Sequence, residues 1–286
     1  MLIDSLKKVV QTSKNENMSM EYIKIELKET LIYYTLNFIY NSPKWSELIF
    51  GGGTALKMIG ETARLSEDLD MDYLTAEFDS KGFAKDLLEY FKGLGVDEVT
   101  TTLKHRGQMI TIKFPILKKL GLIKNIKNES NLLYLKIELE KNKYPEFATA
   151  VTPFTKNNMF FVVRHYDLET LFSNKIGAIL GRKDKVYQDK YDFKGRDFYD
   201  LIWFLQNDIR PNLKRVKQII KTEQKKTVQS YEDVWQLVTN RVREIKTAGI
   251  YSDMKNLVKE PTGIKQLANN YLDIYSSLVE KLSIKV

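Results

Sequence analysis

The spacing of apolar and polar residues changes along the chain and predicts two regions of different architecture. Before Arg164, helical stretches are mixed with stretches in which apolar and polar residues alternate, which is the period of a half-buried β-strand. Beyond Arg164 only the helical spacing occurs. We therefore predict an α+β fold, with an α/β domain over residues 1–165 and an all-helical domain over residues 166–286.

The predicted elements follow from this periodicity and from the positions of Gly and Pro. In the first region the predicted helices are 18–40, 54–59 and 83–94, and the predicted strands are 68–73, 96–103, 109–114, 132–140 and 160–163. A hairpin is expected around His105-Arg106-Gly107. In the second region the predicted helices are 167–181, 197–206, 213–224, 231–248 and 264–282.

Composition excludes several kinds of site. The chain has no Cys and only 2 His among 286 residues, so a disulfide, a thiolate zinc site, a cysteine nucleophile and a multi-histidine metal centre are all excluded. Any metal must be held by carboxylate oxygens, which favours Mg²⁺ or Mn²⁺. No apolar run is long enough for a membrane span, so we expect a cytoplasmic protein with no membrane partner. The net charge of +8 weakly favours a polyanionic partner.

A glycine triplet followed by an acidic strand is the most informative stretch. Acidic and apolar residues alternate over 68–73, so Asp68, Asp70 and Asp72 share one face of the strand. Two carboxylates at i and i+2 can converge on a divalent cation, and without one they repel each other. The glycines at 51–53 let backbone approach a ligand closely, and the helix after them offers N–H groups to an anion. Taken singly, each feature is also typical of an ordinary turn or a solvated strand face, but together they suit nucleotidyl transfer.

These residues carry a resemblance to a known family. Gly-Gly-Thr-Ala-Leu followed by Arg-x-Ser-x-Asp-Leu-Asp resembles the motif of the AbiEii/AbiGii toxin family of nucleotidyltransferases. That family belongs to the DNA polymerase β-like superfamily and includes MenT-type tRNA-modifying toxins. The resemblance implies a polymerase β-like nucleotidyltransferase fold for the first domain. It also implies a triphosphate held by Gly52, Gly53 and Thr54, and catalytic metals bound by Asp68 and Asp70.

The resemblance also implies a third carboxylate on a neighbouring strand. Glu138 matches this carboxylate best and Glu140 is the second choice, although an alternating Lys/Glu strand is also typical of an exposed, ion-paired face. Three further candidates for nucleotide contact are Lys57, which follows the first motif, and Arg64 and Ser66, which belong to the second.

A lysine interrupts the apolar stripe of the first helix in the second region. Lys175 must either extend to solvent or meet an anion. The family carries Glu-x-Leu-x-x-x-Lys and then Arg-Asp-x-x-Asp-Leu, which here begin at Glu169 and Arg196. By this match Lys175 contacts the nucleotide phosphates and Asp197 is a catalytic-motif residue. Asp197 can instead orient Lys175 or Arg196, and an acid in the first turn of a helix is also stabilised by the helix dipole.

A basic segment with interleaved aromatic residues lies between these two helical motifs, over residues 182–196. This composition suits a surface that follows a phosphate backbone and stacks on unpaired bases, such as those of a tRNA 3′ end. The predicted nucleic-acid contacts are Arg182, Lys183, Lys185, Tyr187, Lys190, Lys194 and Arg196.

The sequence thus predicts a nucleotidyltransferase toxin of a toxin–antitoxin or phage-defence system, with NTP as substrate and Mg²⁺ or Mn²⁺ as cofactor. The resemblance implies transfer of NMP to an RNA acceptor, the tRNA 3′ end above all, which would block translation, and it allows a cognate antitoxin as a partner. One alternative is a nucleotidyltransferase acting on a small molecule such as an antibiotic, which the basic segment argues against. Another is a non-catalytic nucleotide- or RNA-binding module on the same fold, which intact Asp68 and Asp70 argue against.

Overall fold

The computed structural model describes residues 2–124, 129–181 and 193–284. The chain divides into two compact units, the first formed by Met1–Asn142 with Thr149–His165 and the second by Lys143–Ala148 with Tyr166–Val286. The short segment 143–148 therefore belongs to the second unit, which no periodicity in the sequence indicated. No helix in the described part of the chain is both long enough and apolar enough to span a membrane.

The first unit combines helices with the strands of one sheet. Its helices are α1 (Leu2–Asn15), α2 (Met20–Tyr40), α3 (Gly52–Ile59) and α4 (Ser80–Gly93). Its strands are β1 (Ile49–Gly51), β2 (Asp68–Tyr73), β3 (Thr100–Lys104), β4 (Met109–Pro115), β5 (Leu132–Lys141), β6 (Thr149–Lys156) and β7 (Met159–Tyr166).

Seven strands within the described residues form a mixed sheet in the order β3-β4-β5-β2-β1-β7-β6. β2 is parallel to β5, and β1 is parallel to β7. The pairs β1–β2, β3–β4 and β4–β5 are antiparallel. The acidic strand β2 therefore lies in the middle of the sheet, between the strand that leads into the glycine turn and the alternating Lys/Glu strand.

The sheet has one buried face and one face of polar side chains. The buried residues of β2 and β5 alternate with the acids, and they are Leu69, Met71, Ile137 and Leu139. Helices cover this face, because α2 packs against β5 and α4 packs against β3. The Phe91 ring of α4 also meets the Phe114 ring of β4 edge-on, with 4.8 Å between their centroids. Burying the apolar face leaves the acidic side chains on the opposite, open face.

The second unit is helical. Its helices are α5 (Leu168–Gly181), α6 (Gly195–Gln206), α7 (Leu213–Ile219), α8 (Tyr231–Glu244), α9 (Ala248–Met254), α10 (Pro261–Asn269) and α11 (Tyr271–Ile284). In its core the rings of Phe172 and Phe204 stack with 4.3 Å between centroids. The apolar periodicity of these segments is thus used to pack helix against helix.

The structure differs from the predicted elements in several places. The helices α1 and α9 and the strands β1 and β6 were not predicted, and β1, with 3 residues that are all buried, is too short to show any period. β3 begins at Thr100 rather than at residue 96. The predicted helix 213–224 changes from α7 into a π-helical turn at Ile220–Gln224. The predicted helix 264–282 is interrupted at Asn270 between α10 and α11.

One buried arginine explains why the segment 143–148 joins the second unit. Arg215 is 2% exposed. Its guanidinium donates to the carbonyl oxygen of Tyr144 at 2.9 Å and to Oδ1 of Asn174 at 2.7 Å. The same group lies 5.4 Å from the ring centroid of Tyr144 and 5.5 Å from that of Tyr166. Because a buried guanidinium must be hydrogen-bonded, Arg215 holds this segment against α5 and α7.

Replacement of this arginine should destabilise the second unit. We expect Arg215→Met to lower the free energy of unfolding by about 2–4 kcal/mol, because the buried carbonyl groups lose their donor. Urea unfolding measures this change. The exposed neighbour supplies the control, and Lys214→Met should change the same quantity by less than about 0.5 kcal/mol. Equal stability of the two variants would contradict this role of Arg215.

Candidate active site

Two acids predicted from separate stretches of sequence lie side by side on the open face of the sheet. The parallel pairing of β2 with β5 aligns Asp70 with Glu138. Adjacent strands are about 4.8 Å apart, so these two carboxylates project from neighbouring positions on the same face. Both residues are partly exposed, whereas the residues that alternate with them are buried. The pairing therefore brings the second motif acid next to the candidate third carboxylate.

The aligned pairs on either side of Asp70 and Glu138 differ in charge, since one joins an acid to a lysine and the other joins two acids. Asp68, the first motif acid, lies about 6.6 Å along β2 from Asp70 and has Lys136 as its neighbour on β5. On the other side, Asp72 is aligned with Glu140, the second-choice carboxylate. Of the two glutamates on β5, only Glu138 is aligned with a motif acid.

The acids on the open face of β2 and β5 form what we call the acid row, namely Asp68, Asp70, Asp72, Glu138 and Glu140. The glycine turn lies against this row. β1 pairs with β2 so that Gly51 is aligned with Asp70. The next residue, Gly52, has φ of +67°, and a Cβ at this position would overlap the carboxylate of Asp70. Gly52 is therefore required for two independent reasons, the left-handed backbone conformation and the close approach of an acidic side chain.

A buried arginine supports the turn. Arg64 is fully buried, and its Nη1 donates to the carbonyl oxygen of Leu65 at 3.2 Å. A Cβ at Gly53 would lie 2.7 Å from Nη2 of Arg64. Arg64 thus packs against the turn, whereas a direct phosphate contact would require an exposed guanidinium.

Thr54 and Ser66 connect the glycine turn to the acidic strand. Both side chains are buried, and their hydroxyl groups hydrogen-bond each other at 2.7 Å. The Thr54 hydroxyl also bonds to the backbone carbonyl oxygen of Asp68. These contacts join the first turn of α3 to the start of β2. The hydroxyl groups predicted to meet a nucleotide are engaged in this structure in holding the two motifs together.

Lys57 is also engaged within the first unit. Its Nζ lies 2.8 Å from Oε1 of Glu29 on α2, and both side chains are largely buried. Glu29 was not singled out from the sequence, because nothing in a regular helix pattern marks one glutamate as the partner of a distant lysine. The predicted phosphate contact of Lys57 thus competes with an ion pair between α2 and α3.

In the second unit, Lys175 meets the protein's own acids. Its Nζ lies 2.9 Å from Oδ1 of Asp197 and 2.8 Å from Oδ2 of Asp200. The side chains of the lysine and the two aspartates are 12%, 4% and 0% exposed. Asp200 was missed as a functional residue, although its position three residues after Asp197 on α6 puts both acids on one helix face. The lysine in the apolar stripe is thus explained by a buried ion-pair cluster.

The structure covers only part of the predicted nucleic-acid segment. Five of its predicted contacts lie outside the described residues, namely Arg182, Lys183, Lys185, Tyr187 and Lys190. Lys194 is the N-cap of α6. The backbone N–H of Arg196 donates to Oδ2 of Asp253 at 2.9 Å, which fixes the start of that helix.

One family model and two solved structures are similar to this chain. A family model described as "Nucleotidyl transferase AbiEii toxin, Type IV TA system" matches residues 37–270. The crystal structure of JHP933 from Helicobacter pylori is similar with a TM-score of 0.50 and 15% identity, over 94% of this chain and 96% of that one. A crystal structure of a protein from H. pylori described as a candidate nucleotidyltransferase is similar with a TM-score of 0.49 and 15% identity, over 91% and 96% of the two chains. No curated protein matches in sequence.

The predicted fold class is confirmed. The similarity to JHP933 is a similarity of fold, because only 15% of the residues are identical, and it supports the α+β architecture. The matched family is one of nucleotidyltransferases. The mixed α/β region precedes the helical region, as the periodicity predicted.

Gly52→Ala tests the close contact between the turn and the acid row. We expect the variant to unfold at lower urea concentration, with a loss of about 2–4 kcal/mol, because the new methyl group is both strained at positive φ and forced into the Asp70 carboxylate. Gly93→Ala in α4 is the matched control, since a Cβ there meets nothing within 4 Å. Similar stability of the two variants would contradict the contact.

The buried cluster around Lys175 predicts a charge-dependent stability. Lys175→Met should lower the free energy of unfolding by about 3–5 kcal/mol, because a cation is removed from between two buried carboxylates. Lys175→Met combined with Asp200→Asn should recover part of this loss. Urea unfolding of both variants and of the wild type measures the coupling, and a single variant as stable as the wild type would rule out a structural role.

Proposed function

Because the chain belongs to the AbiEii family of nucleotidyltransferase toxins of type IV toxin–antitoxin systems, we propose that it transfers NMP from an NTP to an RNA acceptor, the tRNA 3′ end, in a reaction that requires Mg²⁺ or Mn²⁺. The observation that carries the proposal is the register that aligns Asp70 with Gly51 on one side and with Glu138 on the other. The type IV toxin–antitoxin family also supports a cognate antitoxin encoded as part of the same system.

The acid row suits a hard divalent cation whose coordination is completed by oxygen atoms of the substrate. Among the residues described, no group of three or more acidic or histidine side chains forms a ready-made metal cluster. Mg²⁺ is commonly held by one or two carboxylates together with substrate phosphates rather than by a full protein cage. Asp70 and Glu138 supply such carboxylates from adjacent strands, and Asp68 supplies a third on the same face. When bound, the cation would offset the charge of the triphosphate and polarise the α-phosphate.

The glycine turn suits the triphosphate through its backbone. The N-cap of α3 is Gly51, which has no side chain to cap the first N–H groups of the helix. Free N–H groups and the positive end of a helix dipole favour phosphate oxygens. Since the Thr54 hydroxyl is bonded to Asp68 and Ser66, we assign this residue a backbone contribution to the phosphate contact. The side chains of Arg64 and Thr54 then keep the turn in position.

The proposed reaction is a single displacement at the α-phosphorus. The acceptor 3′-hydroxyl oxygen forms the new bond to phosphorus, the bond to the bridging oxygen of the β-phosphate breaks, and pyrophosphate leaves. A carboxylate of the Asp70–Glu138 pair accepts the hydroxyl proton. Within the helical unit, Asp197 and Asp200 hold the ammonium group of Lys175 in place.

A transfer assay tests the proposal. Purified protein is incubated with total tRNA, Mg²⁺ and each of the four α-³²P-labelled NTPs in turn. We expect label on tRNA with the wild type and at least about a hundredfold less with Asp70→Asn or Glu138→Gln, because each removes a charge that the metal and the transition state require. Omitting the divalent cation should abolish transfer.

The next pair of acids on the same strands supplies the matched control. Asp72→Asn and Glu140→Gln remove the same charges at the next aligned pair and should keep activity within about threefold, because Asp72 is aligned with Ile49, two residues before the glycine turn residue that faces Asp70. Label on a small molecule rather than on tRNA would favour the antibiotic-type alternative. Equal loss in all four variants would contradict the assignment of the site to the Asp70–Glu138 pair.

A further inference from the structure

The open face of the sheet continues beyond the acid pair as a surface of lysines, threonines and one tyrosine. The register of β3, β4 and β5 arranges this face in three cross-strand rows, namely Lys104–Met109–Glu138, Thr102–Thr111–Lys136 and Thr100–Lys113–Tyr134. We call the surface formed by Lys104, Lys113, Lys136, Tyr134 and the three threonines the lysine surface.

The side chains of the lysine surface are accessible to solvent, and the residues that alternate with them on β4 and β5 are buried. Lys104, Lys136 and Tyr134 are exposed, the last by 41%, and Lys113 is partly exposed. None of the three lysines forms an ion pair with any residue that the structure describes. Because the alternating residues on β4 and β5 are buried, the side chains of the lysine surface stand on strands anchored in the core.

The chemistry of this surface is complementary to a single-stranded nucleic acid. Unpaired ammonium groups attract phosphates, threonine hydroxyls can donate to phosphate oxygens, and an exposed aromatic ring can stack on an unpaired base. An acidic protein partner would meet the same charges. However, the three threonines and the single exposed aromatic ring provide little apolar area, whereas a stable protein interface has an apolar core.

The lysine surface and the glycine turn lie on opposite sides of β2. Gly51 pairs with Asp70 from one side of β2, and the lysine surface begins at β5 on the other side. An in-line displacement requires the attacking oxygen and the leaving group on opposite sides of the phosphorus. With the triphosphate on the turn, the acceptor should approach from the β5 side.

We propose that the lysine surface binds the single-stranded 3′ end of the RNA acceptor and leads it to the Asp70–Glu138 pair. This inference rests on the proposed function and adds where the acceptor lies. Lys104 and Lys113 contact phosphates, and Tyr134 stacks on a base about 13 Å along β5 from Glu138. Lys136 lies nearest the acids, beside Asp68.

Equilibrium binding of a short single-stranded RNA and of deacylated tRNA tests the surface without requiring transfer. The double variant Lys104→Glu/Lys113→Glu should weaken RNA binding at least about tenfold and make the salt dependence of log K shallower by about 1.4, because two phosphate contacts are lost. Tyr134→Ala should weaken binding at least about fivefold through the loss of stacking. Lys104→Gln/Lys113→Gln repeats the test with neutral side chains, in case charge reversal perturbs folding.

Lys85→Glu is the matched control, because this exposed lysine lies on α4, which packs against the opposite face of the sheet. The control should bind RNA as the wild type does. In the transfer assay, the surface variants should raise KM for RNA and leave KM for NTP unchanged. A raised KM for NTP alone would overturn the proposal in favour of a nucleotide-binding surface.

The outcomes separate this inference from the proposed function. If the wild type labels tRNA and the surface variants bind and react as the wild type does, the lysine surface is wrong and the proposed function stands. In that case Lys104 serves only to keep the edge strand β3 from pairing with other chains. If the wild type labels no RNA, the proposed function fails, and unchanged RNA binding by the variants then overturns the surface as well.

Discussion

The parallel pairing of β2 with β5 is the constraint on which the candidate site depends. Side chains alternate between the two faces of a strand, so a shift of one residue would put Ile137 beside Asp70 and bury the charge of Glu138. The buried residues on both strands oppose such a shift, because each would have to leave the core. The same apolar alternation that stabilises the sheet therefore also holds the two carboxylates next to each other.

Around this pair, most polar side chains near the motifs serve to connect elements. Thr54 and Ser66 join α3 to β2, Arg64 packs against the turn, and Lys57 pairs with Glu29 of α2. A turn that lies against an acidic side chain needs this support, since Gly52 itself contributes no packing. In the proposed reaction, the substrates therefore meet the backbone N–H groups of the turn, the carboxylates and the open face of the sheet.

The helical unit shows the same use of charge for internal structure. Lys175 is held by two buried aspartates, one of which, Asp200, belongs to the motif but carries no obvious role in the sequence. A buried ion pair contributes little net stability but makes the loss of either partner costly. A lysine held in this way has a defined position within the helical unit. Arg215 has the corresponding role for the segment 143–148, with backbone carbonyls as its partners.

The sequence by itself indicated nucleotidyl transfer, through the two motifs, and an α/β region followed by an all-helical region. The alternation over 68–73, the glycines before it and the change to helical spacing after Arg164 are local properties, and each is visible in a few consecutive residues. Only the tertiary structure decided that Glu138 rather than Glu140 is aligned with Asp70, and that Arg64, Thr54 and Lys57 are turned toward protein. These outcomes depend on contacts between residues far apart in the chain, and the spacing of residues within one element does not specify the register or the partners of another.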